Sequence, residues 1–187
     1  MCRRISSAKR DEQQAIEMVL IFVALIAVCA LISRGYGHAE DAVVPAQEVY
    51  FAPGDEPSKV ACHHIDGSKR DLDIEAYYFT DDAIADAIGR AIKRGVAVRV
   101  LVDAKTAESK GSDVQLLRSK GATVRTDGEH PIFHNKIMII DRRMVLTGSY
   151  NWTQAAHSNA ENLLVLRSAD LALRYRDEFA KHWSHAK

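Results

Sequence analysis

Apolar and polar positions along this chain mark out most of its elements. Val49-Tyr50-Phe51 is a short β-branched and aromatic run stopped by Pro53-Gly54, which predicts a first strand. Ser58 to His64 reads as a helix, and Leu72 to Phe79 as a strand rich in β-formers. Thr80-Asp81-Asp82 offers side-chain oxygens to orphan amides and acids to a first turn, so a helix starts there. Ile84, Ile88 and Ile92 recur at helical spacing and give it one buried stripe, and Gly95 ends it. Val96 to Val102 is apolar apart from Arg99, the pattern of a strand covered on both faces. Val114, Leu116 and Leu117 mark another helix, ended by Gly121. Thr123 to Thr126 is a short strand. Ile137 to Ile140 and Met144 to Thr147 are adjacent strands joined by Asp141-Arg142-Arg143. Leu163 to Leu166 is a further strand, and Leu171 to Trp183 a closing amphipathic helix.

The resulting order is β-α-β-α-β-α-β-β-β-β-α. Alternation followed by a run of strands predicts an α/β fold with a mixed β-sheet flanked by helices. There is no internal repeat and no low-complexity tract.

The first forty residues break this pattern. Arg3, Arg4, Lys9 and Arg10 make a basic start, and Met18 to Ser33 runs without a charge between Glu17 and Arg34. That run is shorter than the roughly 20 residues a spanning helix needs. Gly37-His38-Ala39 follows with small residues at its first and third places. The combination predicts a signal peptide over residues 1–39, with an uncleaved N-terminal anchor as the alternative, a linker over 40–48 and a catalytic domain over 49–187. On either reading the domain is expected outside the cytoplasm, exported or tethered to a membrane through residues 18–33.

The 187 residues carry 25 Lys or Arg and 25 Asp or Glu, and 47% are hydrophobic, a globular composition. Without the leader the balance becomes 20 basic against 22 acidic residues, a net charge of −2. No global basic field advertises nucleic acid, so affinity for a polyanion has to come from a local patch. Of Cys2, Cys29 and Cys62, only Cys62 lies beyond the leader. No pair has zinc-ligand spacing, and Cys62 is expected as a small core residue. His63, His64, His157, His182 and His185 are expected in solvent. Trp152 is expected in the core or at its rim. His130 and His134 are separated by Pro131, which breaks the helical spacing a metal pair would need.

The chemistry concentrates in one stretch. His134-Asn135-Lys136 is followed by four residues and Asp141; Gly148-Ser149-Tyr150-Asn151 comes next, and Glu161 lies ten residues beyond Asn151. Side chains two apart on a strand share a face, so His134 and Lys136 point the same way if the strand starts at His134, and Ser149 and Asn151 form a second such pair. Gly148 would let the backbone approach a ligand. A nucleophilic or acidic imidazole, an ammonium, a hydroxyl and an amide converging at strand ends make a phosphate pocket.

These residues resemble the signature of the phospholipase D superfamily, H-x-K-x4-D with downstream G-S-x-N and an acid. The likeness runs from about Val49 to Trp183 and is greatest to the one-motif Nuc-type bacterial endonucleases. Tyr77-Tyr78-Phe79-Thr80, Arg94-Gly95-Val96 and Arg125-Thr126-Asp127 also resemble that group. The resemblance implies a phospholipase D-like fold with half of a two-motif site per chain, a covalent phosphohistidine at His134, and no metal or cofactor. It implies that Lys136, Ser149 and Asn151 hold phosphate oxygens or the local network. Glu161 would orient a histidine, and Asp141 would be the motif's acid in a structural more than a catalytic role. The superfamily's chemistry uses two histidines, so one motif per chain implies a homodimer with a shared active site. The expected activity is a phosphodiesterase, foremost an endonuclease on DNA or RNA without sequence preference. A phospholipase D acting on phosphatidyl head groups is the alternative. A non-catalytic nucleic-acid or lipid-binding module is a third reading, against which the intact His134, Lys136 and Asn151 argue.

Overall fold

The computed structural model describes Met18, Leu20 and residues 47–187. Met18 and Leu20 are helical and exposed; the rest of the expected leader lies outside the described residues.

Nine strands and five helices follow in order: β1 (Gln47–Ala52), α1 (Pro57–Gly67), β2 (Asp71–Ala76), β3 (Phe79–Thr80), α2 (Asp82–Lys93), β4 (Ala97–Asp103), α3 (Ala104–Ala107), α4 (Val114–Ser119), β5 (Thr123–Asp127), β6 (Lys136–Ile140), β7 (Met144–Gly148), β8 (Trp152–Thr153), β9 (Glu161–Arg167) and α5 (Ala169–His185). Seven strands form one sheet in the order β1-β9-β7-β6-β2-β4-β5. β2, β4 and β5 are parallel, and the remaining neighbours pair antiparallel. β3 and β8 form a small parallel pair of their own.

The mixed sheet flanked by helices is the expected architecture. On one face Leu72, Ile74 and Ala76 of β2 and Val98, Val100 and Val102 of β4 pack against Ala61 and Ile65 of α1 and Ile84 and Ile88 of α2. On the other face Leu101, Ile139 and Val145 meet Ala172 and Phe179 of α5. β4 is therefore covered on both sides. Arg99, the one charge within its apolar run, makes two 2.7 Å bonds to the buried carboxylate of Asp73. Of Thr80, Asp81 and Asp82 at the start of α2, Asp81 is the cap. Its Oδ1 accepts from the amides of Ala83 and Ile84 at 3.0 and 3.1 Å.

One expected strand is divided. Leu72 to Phe79 is not continuous: β2 stops at Ala76, and Tyr77-Tyr78 leave the sheet before β3 begins. That departure brings Tyr77 to the end of the sheet where His134 lies.

Asp141 closes the β6–β7 hairpin with φ 53°, and Arg142 follows at φ 58°. Its carboxylate accepts from the amides of Lys69, Arg70 and Asp71 at 2.7 to 3.2 Å. Asp141 thereby ties the hairpin to the segment that enters β2. Asp141→Ala should cost roughly 2 kcal/mol of stability, the scale of hydrogen bonds to a charged acceptor. Turnover of the folded fraction should be unchanged. Denaturant melts alongside initial rates check this, and a rate loss without a stability loss would contradict it.

Candidate active site

Antiparallel pairing sets the start of β6, the ends of β2 and β7 and the start of β9 at one end of the sheet: Ala76 pairs with Lys136, and Gly148 with Leu163. The motif residues other than Asp141 are delivered there. Asp141 lies at the far end of β6, about 16 Å of strand away.

β6 begins at Lys136, so His134 is not on the strand and does not share a pleated face with it. The two are joined differently. The exposed imidazole of His134 lies against the ring of Tyr77 with centroids 4.6 Å apart. The ammonium of Lys136 sits 5.2 Å from the centroid of the same ring and donates to the backbone carbonyl of His134 at 2.8 Å. Tyr77 is a shared aromatic support, cation–π partner to one residue and in tilted ring contact, 53° between planes, with the other.

Lys136 is only 6% exposed. Burial lowers its pKa to about 8, opposed by the carboxylate of Glu161. An ammonium held this way is poorly hydrated and free to pair with an incoming phosphate oxygen. The sign of the pH dependence follows. Because the folded value lies below the ordinary lysine value of 10.5, the cost of burying the charge is fully present below about pH 8. It is relieved as pH rises toward the unfolded value. The charge that would hold phosphate fades over the same window, so kcat/KM should fall as pH rises through about 8. Lys136→Arg, which stays protonated, should move that limb to higher pH even at a reduced rate. A limb that does not move would assign it to another group.

Gly148 was expected to let the backbone approach a ligand; within the fold it lies against its own neighbour, and a Cβ there would stand 2.2 Å from the carbonyl oxygen of Asn162. The glycine is required for β7 to pass β9. Ser149 Oγ accepts from Asn162 N at 3.0 Å and Nδ2 at 3.3 Å, which leaves its hydroxyl proton free. Asn151 Oδ1 is buried with no hydrogen-bond partner among the described residues, an unmet need inside a polar site. Glu161 accepts from Asn159 Nδ2 at 3.2 Å. The His134 imidazole has no hydrogen bond to any described residue, so no acid among the described residues orients it through a hydrogen bond.

The sequence matches the family described as cardiolipin synthase, PLD-like domain, over residues 61–183. It is 37% identical over 125 residues to a mitochondrial cardiolipin hydrolase of Chlamydomonas reinhardtii, covering 66% of this chain and 56% of that one. It is 34% identical over 138 residues to a phospholipase D of Rickettsia felis, covering 73% and 67%. The fold is similar to that of a solved phospholipase D family member, Nuc from Salmonella typhimurium. The TM-score is 0.73 at 31% identity, over 76% of this chain and 97% of that one. The chain belongs to the phospholipase D superfamily. It spans 56% of the algal relative's length, so what those whole proteins do bears on it only by proposal.

With the superfamily shown, the residues around the signature motif become informative. Glu75, on β2, is buried beneath α5. It accepts from Asn135 Nδ2 and from His182 Nδ1, both at 2.8 Å. Burial raises its pKa against those hydrogen bonds. Asn135 is the middle residue of the motif, so Glu75 anchors the segment that presents His134. The Trp152 indole donates to the Glu75 carbonyl at 3.1 Å and is fully buried, in the core as expected.

The expectation of solvated histidines fails for His182, which is partly buried against Glu75. His157 and His185 are exposed as expected, yet meet buried Asp81 at 2.8 Å and buried Asp127 at 2.9 Å. Each acid is far away in sequence, so spacing carried no trace of these pairs. Cys62 is half-buried against the core, and burial pushes its thiol up to about 11, an inert cysteine.

Proposed function

We propose that the chain is a metal-independent phosphodiesterase working through a phosphohistidine at His134, with nucleic acid as its substrate. The observation that carries the reading is an exposed imidazole held beside a desolvated ammonium on one aromatic ring. A nitrogen of His134 attacks phosphorus, a P–N bond forms and the P–O bond to the leaving group breaks. The leaving oxygen takes a proton from a second imidazole. That imidazole then accepts a proton from water, the water oxygen bonds phosphorus and the P–N bond breaks. Lys136 balances the oxygen charge. The amide of Asn151 and the hydroxyl of Ser149 donate to phosphate oxygens, and Glu161 keeps the ammonium and the acidic imidazole placed.

The second imidazole is His134 of another copy. An exposed, unpaired imidazole on an open shelf suits a surface that a twofold mate completes, and two copies of Lys136 would supply the local positive charge that the whole domain lacks.

The likeness to Nuc over nearly that whole chain supports nucleic acid. Phosphatidyl head groups are the second reading. It is favoured by Ile132, which is 60% exposed two residues before His134, and by relatives named phospholipase D and cardiolipin hydrolase. Purified protein should be assayed in EDTA on plasmid, single-stranded RNA, and vesicles of phosphatidylcholine or cardiolipin. Nucleic acid should be cleaved at the rate seen without chelator, because only one carboxylate, Glu161, stands among the motif residues at that end of the sheet, too few for a magnesium or calcium cage. Rates on lipid alone would select the second reading, and loss of all activity restored by one divalent ion would overturn the mechanism.

Residues 1–39 are proposed to direct export and be removed. Mass spectrometry of protein from its native host should find an N-terminus near Glu40. A chain retaining Met18 to Ser33 in a membrane fraction would mean an anchor instead.

A further inference from the structure

Asp127 ends β5 with its carboxylate buried, and two imidazoles from different elements converge on it. His130, in the segment between β5 and β6, places Nδ1 3.1 Å from Oδ1 and 3.2 Å from Oδ2. His185, in the last turn of α5, places Nε2 2.9 Å from Oδ2. One donor atom from each residue lies within 4.8 Å of the other two. Around a tetrahedral ion with bonds of about 2.0 to 2.2 Å, neighbouring donors stand about 3.3 to 3.5 Å apart. Both carboxylate contacts fall a few tenths of an ångström short of that, and the two imidazole donors lie within 4.8 Å of each other.

The donor set is also chemically selective. One carboxylate with two imidazoles suits zinc and its neighbours, and does not suit magnesium or calcium. Asp127 is oriented from behind by the His130 backbone amide, which donates to Oδ1 at 3.0 Å, the kind of support that fixes a ligand. The imidazoles are 43% and 32% exposed at the side chain, so an ion has a path in, and three protein ligands leave one position for water.

We propose that Asp127, His130 and His185 form a zinc-class transition-metal site. It is separate from the phosphodiester site and ties the segment carrying His134 to the end of α5. That segment has other anchors: Phe133 N donates to Asp103 Oδ2 at 2.9 Å, Lys105 Nζ to the Pro131 carbonyl at 3.1 Å, and Asn135 to Glu75. The ion adds a cross-link between β5, this segment and α5, and takes no part in the bond-breaking steps.

The test reads binding and does not use turnover, so it stands or falls apart from the proposed activity. Tag-free protein, stripped with chelator and dialysed, is titrated with zinc by calorimetry and with cobalt(II) by visible absorption. One zinc per chain is expected, with a higher melting temperature and the intense cobalt bands of a four-coordinate site. His130→Ala and His185→Ala, each checked for folding by circular dichroism, should weaken binding on the order of 100-fold or more. His157→Ala, which removes a histidine paired with a different buried acid, should bind as wild type. Two results would overturn the site: no saturable binding by the folded wild-type chain, or binding that neither substitution weakens. Either would leave the three residues as a carboxylate accepting two imidazole N–H groups.

Discussion

His134→Ala should yield a folded protein with no measurable turnover, a loss on the order of 10⁴-fold or more, the scale of removing a nucleophile. The fold should survive because it does not rest on this side chain. The imidazole is exposed, touches Tyr77, and makes no hydrogen bond to a described residue. The segment around it is held by neighbours on either side, Phe133 to Asp103 and Asn135 to Glu75. Lys136→Ala is the instructive contrast. It removes a charge but no bond-forming atom, so it should cost about 3 kcal/mol, roughly a hundredfold, at the same step. Circular dichroism and melting curves separate lost chemistry from lost structure. A folded His134→Ala protein with near wild-type rates would end the mechanism.

A second large effect is expected from mixing chains. Double displacement needs a proton donor for the leaving oxygen and then a base for water, and an imidazole bonded to phosphorus can be neither. Every other histidine of the domain beyond His134 is either paired with a buried acid or remote from the sheet end in question, His63 and His64 being on α1. A twofold axis supplies the missing imidazole with no further sequence. With a tenfold excess of His134→Ala, only about one wild-type chain in eleven finds a wild-type mate after subunit exchange. Activity per wild-type chain should fall to about a tenth. Activity that stays at half or more, or a fully active monomer in sedimentation at assay concentration, would show that one chain suffices.

Much of this architecture was legible because it rests on local pattern. The isoleucine stripe of α2, the apolar run of β4 and the polar turn between β6 and β7 are each dictated by residues a few positions apart. So is the motif, whose spacing carries His134, Lys136, Ser149, Asn151 and Glu161 to one end of the sheet. What stayed hidden is long-range. Nothing in the strand pattern singled out Asp73 and Glu75, yet both are buried, and Arg99 and His182 meet them. Tyr77 was legible only as part of a resembling segment, because its use depends on β2 stopping one residue earlier. Gly148 was legible as a point of close approach, but its contact with Asn162 across β7 and β9 was not. Sequence marks where a side chain is intolerable, and not what would collide with it.

The most direct test of the central claim is to trap the intermediate. Wild-type protein mixed with excess substrate and quenched in alkali, where a phosphoramidate persists, should yield one modified tryptic peptide. Fragmentation should place the phosphoryl adduct on His134. The adduct should be absent from His134→Ala and decay on a chase at the rate of turnover. An adduct on another residue, or none in an enzyme shown to be turning over with chemistry at least partly rate-limiting after attack, would contradict the account.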